Sequence, residues 1–152
     1  MTMRLSQALQ FGEFLLAPAH GVWLGKDTAG NVCKGCAIGR ACIAAGFQPL
    51  ANEASSDEWL RLNAWFSTTW PWTVDHIPVV QPVFARPGYT SSGPPGFGTA
   101  NPLLADVSNL YEQYDYTMLQ LAEWVARIEP VESTPPIETS LQLATVAEGE
   151  TP

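Results

Sequence analysis

Cys33 and Cys36 are separated by Lys34 and Gly35, and Cys42 follows within the same short stretch. The CxxC spacing brings two thiols close enough for a zinc knuckle or a redox pair, and a helix beginning at Cys36 would lower that thiol's pKa. A structural zinc needs four ligands, and beyond Cys42 the chain offers only His20 and His76 as strong candidates. Cys42 falls on the inner stripe of the helix expected there. The spacing therefore predicts reduced, buried or half-buried thiols, with a zinc-stabilised small domain as an alternative. No residue is assigned as a metal ligand. Three cysteines are an odd count, which argues against a complete disulfide framework and for a reducing compartment.

The remaining chemistry-bearing residues point away from catalysis. His20 and His76 lack the flanks of a nucleophile elbow or a recognisable base, and both read as loop histidines. Asp57 and Glu58 read as first-turn residues that complement a helix dipole. Gly93-Pro94-Pro95-Gly96-Phe97-Gly98 lacks the Lys-Ser/Thr of a phosphate loop and carries prolines where amides would have to point. The expectation is a non-enzyme with no catalytic residue and no cofactor.

Helices must position whatever these residues do. Leu5, Ala8, Leu9, Gly12, Leu15 and Leu16 recur at helical spacing and predict a first helix from about Leu5 to Leu16, with Ser6 as an alternative N-cap. Pro18, Gly21 and Gly25 interrupt it, and the turn residues 26–31 follow Val22-Trp23-Leu24 as one arm of a short hairpin. A stripe of small residues, Ala37, Ile38, Ala41, Cys42 and Ala45, predicts a helix over 36–45 ended by Gly46 in the left-handed conformation. Ser55 and Glu58 stand at capping-box offset, which predicts a helix from Ser55 to about Phe66 with Trp59, Leu62, Trp65 and Phe66 inward. Asn101-Pro102 is an N-cap followed by proline at the first helical position, and Thr117 with Gln120 makes a second capping box before a helix ended by Pro130. Two amphipathic helices joined by so short a turn are expected to pack as a pair.

Between Ser67 and Asn101 the prolines and glycines forbid long helices and interrupt strands, so 67–101 reads as a long irregular segment. Its aromatics Trp70, Trp72, Phe84, Tyr89 and Phe97 are candidate interaction anchors. The fold class is therefore mainly α: a small helical domain over 1–129 with this Pro/Gly-rich irregular segment inside it. An extended or disordered acidic C-terminal tail occupies 130–152, a stretch with too few large apolar residues to offset its ordering entropy.

Composition narrows the partners. Charged residues make up 14% of the chain against about a quarter in an average domain, so much of the surface is uncharged. The six tryptophans serve either as core filling or as interface anchors. Fifteen acidic residues against seven basic leave a formal charge of −8, with no basic footprint for a phosphate backbone. The helix after Tyr116 resembles a groove reader only in length, since Gln120, Glu123 and Glu129 outweigh Arg127 on its exposed face. Direct nucleic-acid binding is not expected. No apolar stretch reaches membrane-spanning length, and no signal peptide is legible, which predicts a cytoplasmic or virion protein.

Leu5-Ser6-Gln7-Ala8 with Gly12, Cys36-Ala37-Ile38-Gly39 with Gly46, and Tyr116-Thr117 through Gln120-Leu121-Ala122-Glu123-Trp124-Val125 carry a resemblance. They are similar to a loose group of small uncharacterised bacterial and phage proteins with an LSxAxxxG start, a CxLGAA-like helix and a terminal WTxxQIAxWV-like helix. That group often has a further cysteine pair in its middle, where this chain has the proline-rich stretch. The resemblance implies a small helical protein and supplies no activity. The functional expectation is a non-enzymatic accessory or structural subunit that binds other proteins in a larger bacterial or phage assembly, with a homo-oligomer left open. The alternative is a small acidic inhibitor, of anti-defence type, that competes for a basic nucleic-acid channel.

Overall fold

The computed structural model describes residues 3–20, 22–80 and 99–130. The first helix, α1, spans Leu5–Gly12 and buries Leu5, Ala8, Leu9 and Gly12, the predicted stripe. It ends short of Leu16, because the chain turns at Glu13–Leu15 and enters strand β1, Ala17–Pro18. Proline at position 18 disfavours helical backbone in the residue before it. Arg4, not Ser6, occupies the N-cap position.

The expected hairpin forms, with its first arm shifted toward the turn: strand β2 is Leu24–Lys26 and pairs antiparallel with β3, Val32–Gly35. Asp27 Oδ1 closes the turn by accepting from the backbone N–H of Ala29 and Asn31, both at 2.9 Å. Two-residue β1 adds to β3 in parallel, which makes a small sheet of order β1-β3-β2. A mainly helical chain thus also carries a sheet that its hairpin alone did not announce.

Helix α2, Ala37–Ala44, starts from Cys36 as N-cap. Its small stripe permits the close approach expected of it. A Cβ on Gly12 would lie 2.9 Å from the Arg40 carbonyl group, and one on Gly39 would lie 1.8 Å from the Trp23 carbonyl oxygen. Gly46 has φ +114°, and the Phe47 N–H reaches back to the Cys42 carbonyl at 2.9 Å, the Schellman ending that the glycine predicted.

Helix α3 spans Ser55–Thr69, past the expected Phe66. The predicted capping box does not form: Ala54 is the N-cap, without a side-chain bond, and Glu58 turns inward to other partners. Thr69 and Trp70 lead into a 3-10 turn over Pro71–Asp75, so the opening of the expected irregular segment is ordered helix and turn. Residues 81–98 and the tail from Val131 lie outside the described residues.

Helix α4, Pro102–Gln113, begins as predicted, with Asn101 Oδ1 accepting from the N–H of Leu103 and Leu104 at 3.0 Å each. It is buried on nearly every side, polar residues included. Helix α5, Met118–Ile128, carries the predicted capping box of Thr117 and Gln120. The expected pairing of α5 with α4 is corrected: α5 packs chiefly against α1. Among the described residues no helix is long and apolar enough to cross a membrane.

Candidate functional site

A charge buried in protein must find a partner or a strong set of hydrogen bonds. Four buried carboxylates do so by clasping distant parts of the chain. Glu58 accepts from Trp23 Nε1 at 3.2 Å, and its other oxygen lies 3.0 Å from Lys26 Nζ, an ionic contact outside hydrogen-bond alignment. Asp106 meets His76 Nε2 at 2.7 Å and accepts from the N–H of Val79 and Val80. Glu112 meets His20 Nδ1 at 3.1 Å. Glu129 accepts from Ser6 N and Oγ and pairs with Arg4 at 3.1 Å, which sets a negative group at the N-terminus of α1. His20 and His76 are therefore not idle loop histidines; each is tied to a carboxylate of α4.

Arg40 breaks this pattern. It sits in the middle of α2 among small apolar residues and is 4% exposed. Among the described residues no carboxylate lies within 4.0 Å of its guanidinium, and its Nε has no hydrogen-bond partner. Its Nη2 lies 3.5 Å from the Tyr111 hydroxyl, the outer limit of a hydrogen bond. Tyr111 in turn stacks on the ring of His20, centroids 4.5 Å apart and 14° from parallel.

These groups line a cleft of about 370 Å³ between the end of α1, the β1 connection, α2 and the α4–α5 turn. Glu13, His20, Arg40, Tyr111, Asp115 and Thr117 supply its polar wall. Asp115 holds φ +57°, a left-handed conformation that aspartate tolerates better than most residues. Glu13 Oε1 is buried and has no hydrogen-bond partner among the described residues.

The thiols do not assemble the chemistry their spacing suggested. Cys33 is exposed on β3, whereas Cys36 and Cys42 are buried. The expected lowering of the Cys36 pKa is reversed: burial pushes the thiol up to about 11 and Glu112 adds to the effect. The N–H groups of Gly39 and Ile38, with Arg40, oppose it without prevailing. Burial also raises Cys42 and, in the cleft wall, the Tyr111 hydroxyl. A protonated thiol with no base bonded to it is not poised as a nucleophile. Among the described residues no three His, Cys, Asp or Glu side chains gather as a metal site.

The candidate interaction aromatics separate. Trp70 is a core residue, 3% exposed, with Nε1 donating to the Met3 carbonyl at 2.8 Å and its ring edge-on to Trp65 and Phe66. Expected as an interaction anchor, it instead fills the core. Trp72 is half-buried and, with Trp70, lines a smaller cleft of about 160 Å³ beside Glu129. Phe84, Tyr89 and Phe97 lie outside the described residues. Sequence reasoning passed over Arg40; the signal present was a lone cation inside the otherwise apolar run from Ala37 to Ala44.

No protein-family model, curated protein or solved structure matches the chain.

Proposed function

We propose that this chain is a non-enzymatic accessory or structural subunit that binds other proteins in a larger bacterial or phage assembly. The observation that carries the reading is a cluster of large apolar side chains left outside a well-filled core. Phe11, Phe14 and Leu15, from the end of α1 and the turn after it, are 55%, 81% and 49% exposed. Single exposed apolar residues are ordinary, but three from one turn make a contiguous surface of the kind that marks association. Aromatic side chains are also enriched among the residues that dominate interface energies. Glu13, between Phe11 and Phe14 in sequence, and Pro18, three residues beyond Leu15, belong to the cleft wall, so a partner seated on the apolar lip would also cover the cleft mouth.

The test is co-purification from the native source with the intact chain and with the double variant Phe11→Ser, Phe14→Ser, quantified by mass spectrometry. The variant should retain its thermal midpoint, since exposed substitutions usually change stability by less than about 0.5 kcal/mol. It should lose the specifically bound protein. Equal recovery with both chains would remove the apolar lip from the interface.

A further inference from the structure

The cleft above Arg40 is lined by two side chains of opposite charge, each with a buried atom, Arg40 Nε and Glu13 Oε1, that has no hydrogen-bond partner among the described residues. We infer that it is a binding site for a small zwitterion, a molecule whose carboxylate meets Arg40 while its adjacent ammonium meets Glu13.

Arg40 supplies the first half. It is 4% exposed and, among the described residues, has no carboxylate within ion-pair distance and no partner for Nε, which leaves part of its desolvation cost uncompensated. Its planar fork is shaped for bidentate recognition of a carboxylate. The Tyr111 hydroxyl stands 3.5 Å from Nη2 and can donate to the same oxygens.

Glu13 supplies the second half. Glu13 lines the same cleft and its buried Oε1 has no hydrogen-bond partner among the described residues, yet no ion pair joins it to Arg40. An acceptor and a cationic donor held apart in one cavity suit a ligand that carries the complementary pair. The cleft of about 370 Å³ is at the lower end of the range for small-molecule sites, about 300–1,000 Å³.

Charge decides against a simple anion. Glu13 and Asp115 line the cleft, Glu112 stands behind His20, and the whole chain carries −8. A phosphate ester would meet one guanidinium and several carboxylates. A zwitterion adds no net charge and places its ammonium against the acidic side. A free amino acid has this chemistry, whereas the C-terminal residue of a peptide, whose last amide N–H is uncharged, presents only the anionic half.

Titration of the full chain, followed by NMR of the Arg40 side-chain Nε–H and cleft-wall amides, tests the inference with glycine, N-acetylglycine, acetate and inorganic phosphate as probes. Saturable shifts with glycine stronger than with acetate support the site and favour a free amino acid. N-acetylglycine, a monoanion whose amide N–H is uncharged, as the best probe would overturn the zwitterion. Arg40→Gln should abolish the glycine response. Because that variant alters a buried residue, Glu13→Gln is the second arm; it should weaken glycine by about tenfold while leaving acetate little changed, as loss of a charged hydrogen bond predicts. Phosphate as the strongest probe, or no saturable shift with any of the four, would overturn the inference. So would an unchanged glycine response in a folded Arg40→Gln chain.

Discussion

Cys36 illustrates how a residue's neighbours in space override its neighbours in sequence. A helix N-terminus stabilises a thiolate, and the N–H groups of Ile38 and Gly39 do act in that sense, but desolvation is larger and raises the thiol from 9.0 to about 11. The folded chain therefore binds this proton more tightly than the unfolded chain. The associated stability is fully present below pH 9.0 and is lost as pH rises through about 11, with Cys42 and Tyr111 acting in the same direction. Urea unfolding followed from neutral to alkaline pH should show an unfolding free energy that falls across this window, by about 3 kcal/mol for Cys36 alone. A Cys36→Ala chain should show a shallower fall; an identical slope would remove the thiol from the account. Trp70 teaches the same lesson with the opposite consequence. A tryptophan in a proline-broken stretch resembled an exposed anchor, and it became core because Met3, far along the chain, accepts its N–H.

At the level of elements, the small stripe of α2 matters more than its length. Gly39 faces the Trp23 carbonyl so closely that a single added methyl would lie 1.8 Å from the oxygen, and the same carbonyl accepts from Cys36 N at 3.1 Å. Gly39→Ala removes a residue of poor helix propensity, which in isolation would stabilise α2 by about 1 kcal/mol. Overpacking against rigid backbone outweighs that gain, and the expected net effect is destabilisation of about 1–3 kcal/mol, read as a lowered thermal midpoint. A raised midpoint would mean that α2 and the sheet separate without cost. Caps divide by whether their side chains are wanted elsewhere. Asn101 and Thr117 keep their predicted capping roles. Ser55 and Glu58 do not, because Trp23 and Lys26 offer Glu58 a buried partnership that outranks a surface cap.

The molecule as a whole is organised around α4, a helix whose polar residues are buried because they hold the surrounding chain. Asp106 ties down the stretch from His76 to Val80, and Glu112 ties down His20. Asp106→Ala should leave His76 and two backbone N–H groups without their acceptor. The expected loss is about 3 kcal/mol, and hydrogen exchange at Val79 and Val80 should accelerate before global unfolding does. Unchanged protection at those amides would show that the clasp is dispensable.

What the amino-acid order determined by itself was local. The starts of α4 and α5, the glycine ending of α2, the inward stripe of α1 and the turn at Asp27 all depend on groups within a few residues of one another. Hydrogen-bond geometry and helical periodicity operate at that range, so they were legible. The partners of the buried charges were not. Ser6 meets Glu129 across 123 positions and His20 meets Glu112 across 92, and no spacing rule reaches so far. The choice of α1 over α4 as the neighbour of α5, the burial of Trp70 and the opening above Arg40 were decided only in three dimensions. Packing brings remote side chains into low dielectric, and there each charge must take the partner that the fold supplies or remain open to one from outside.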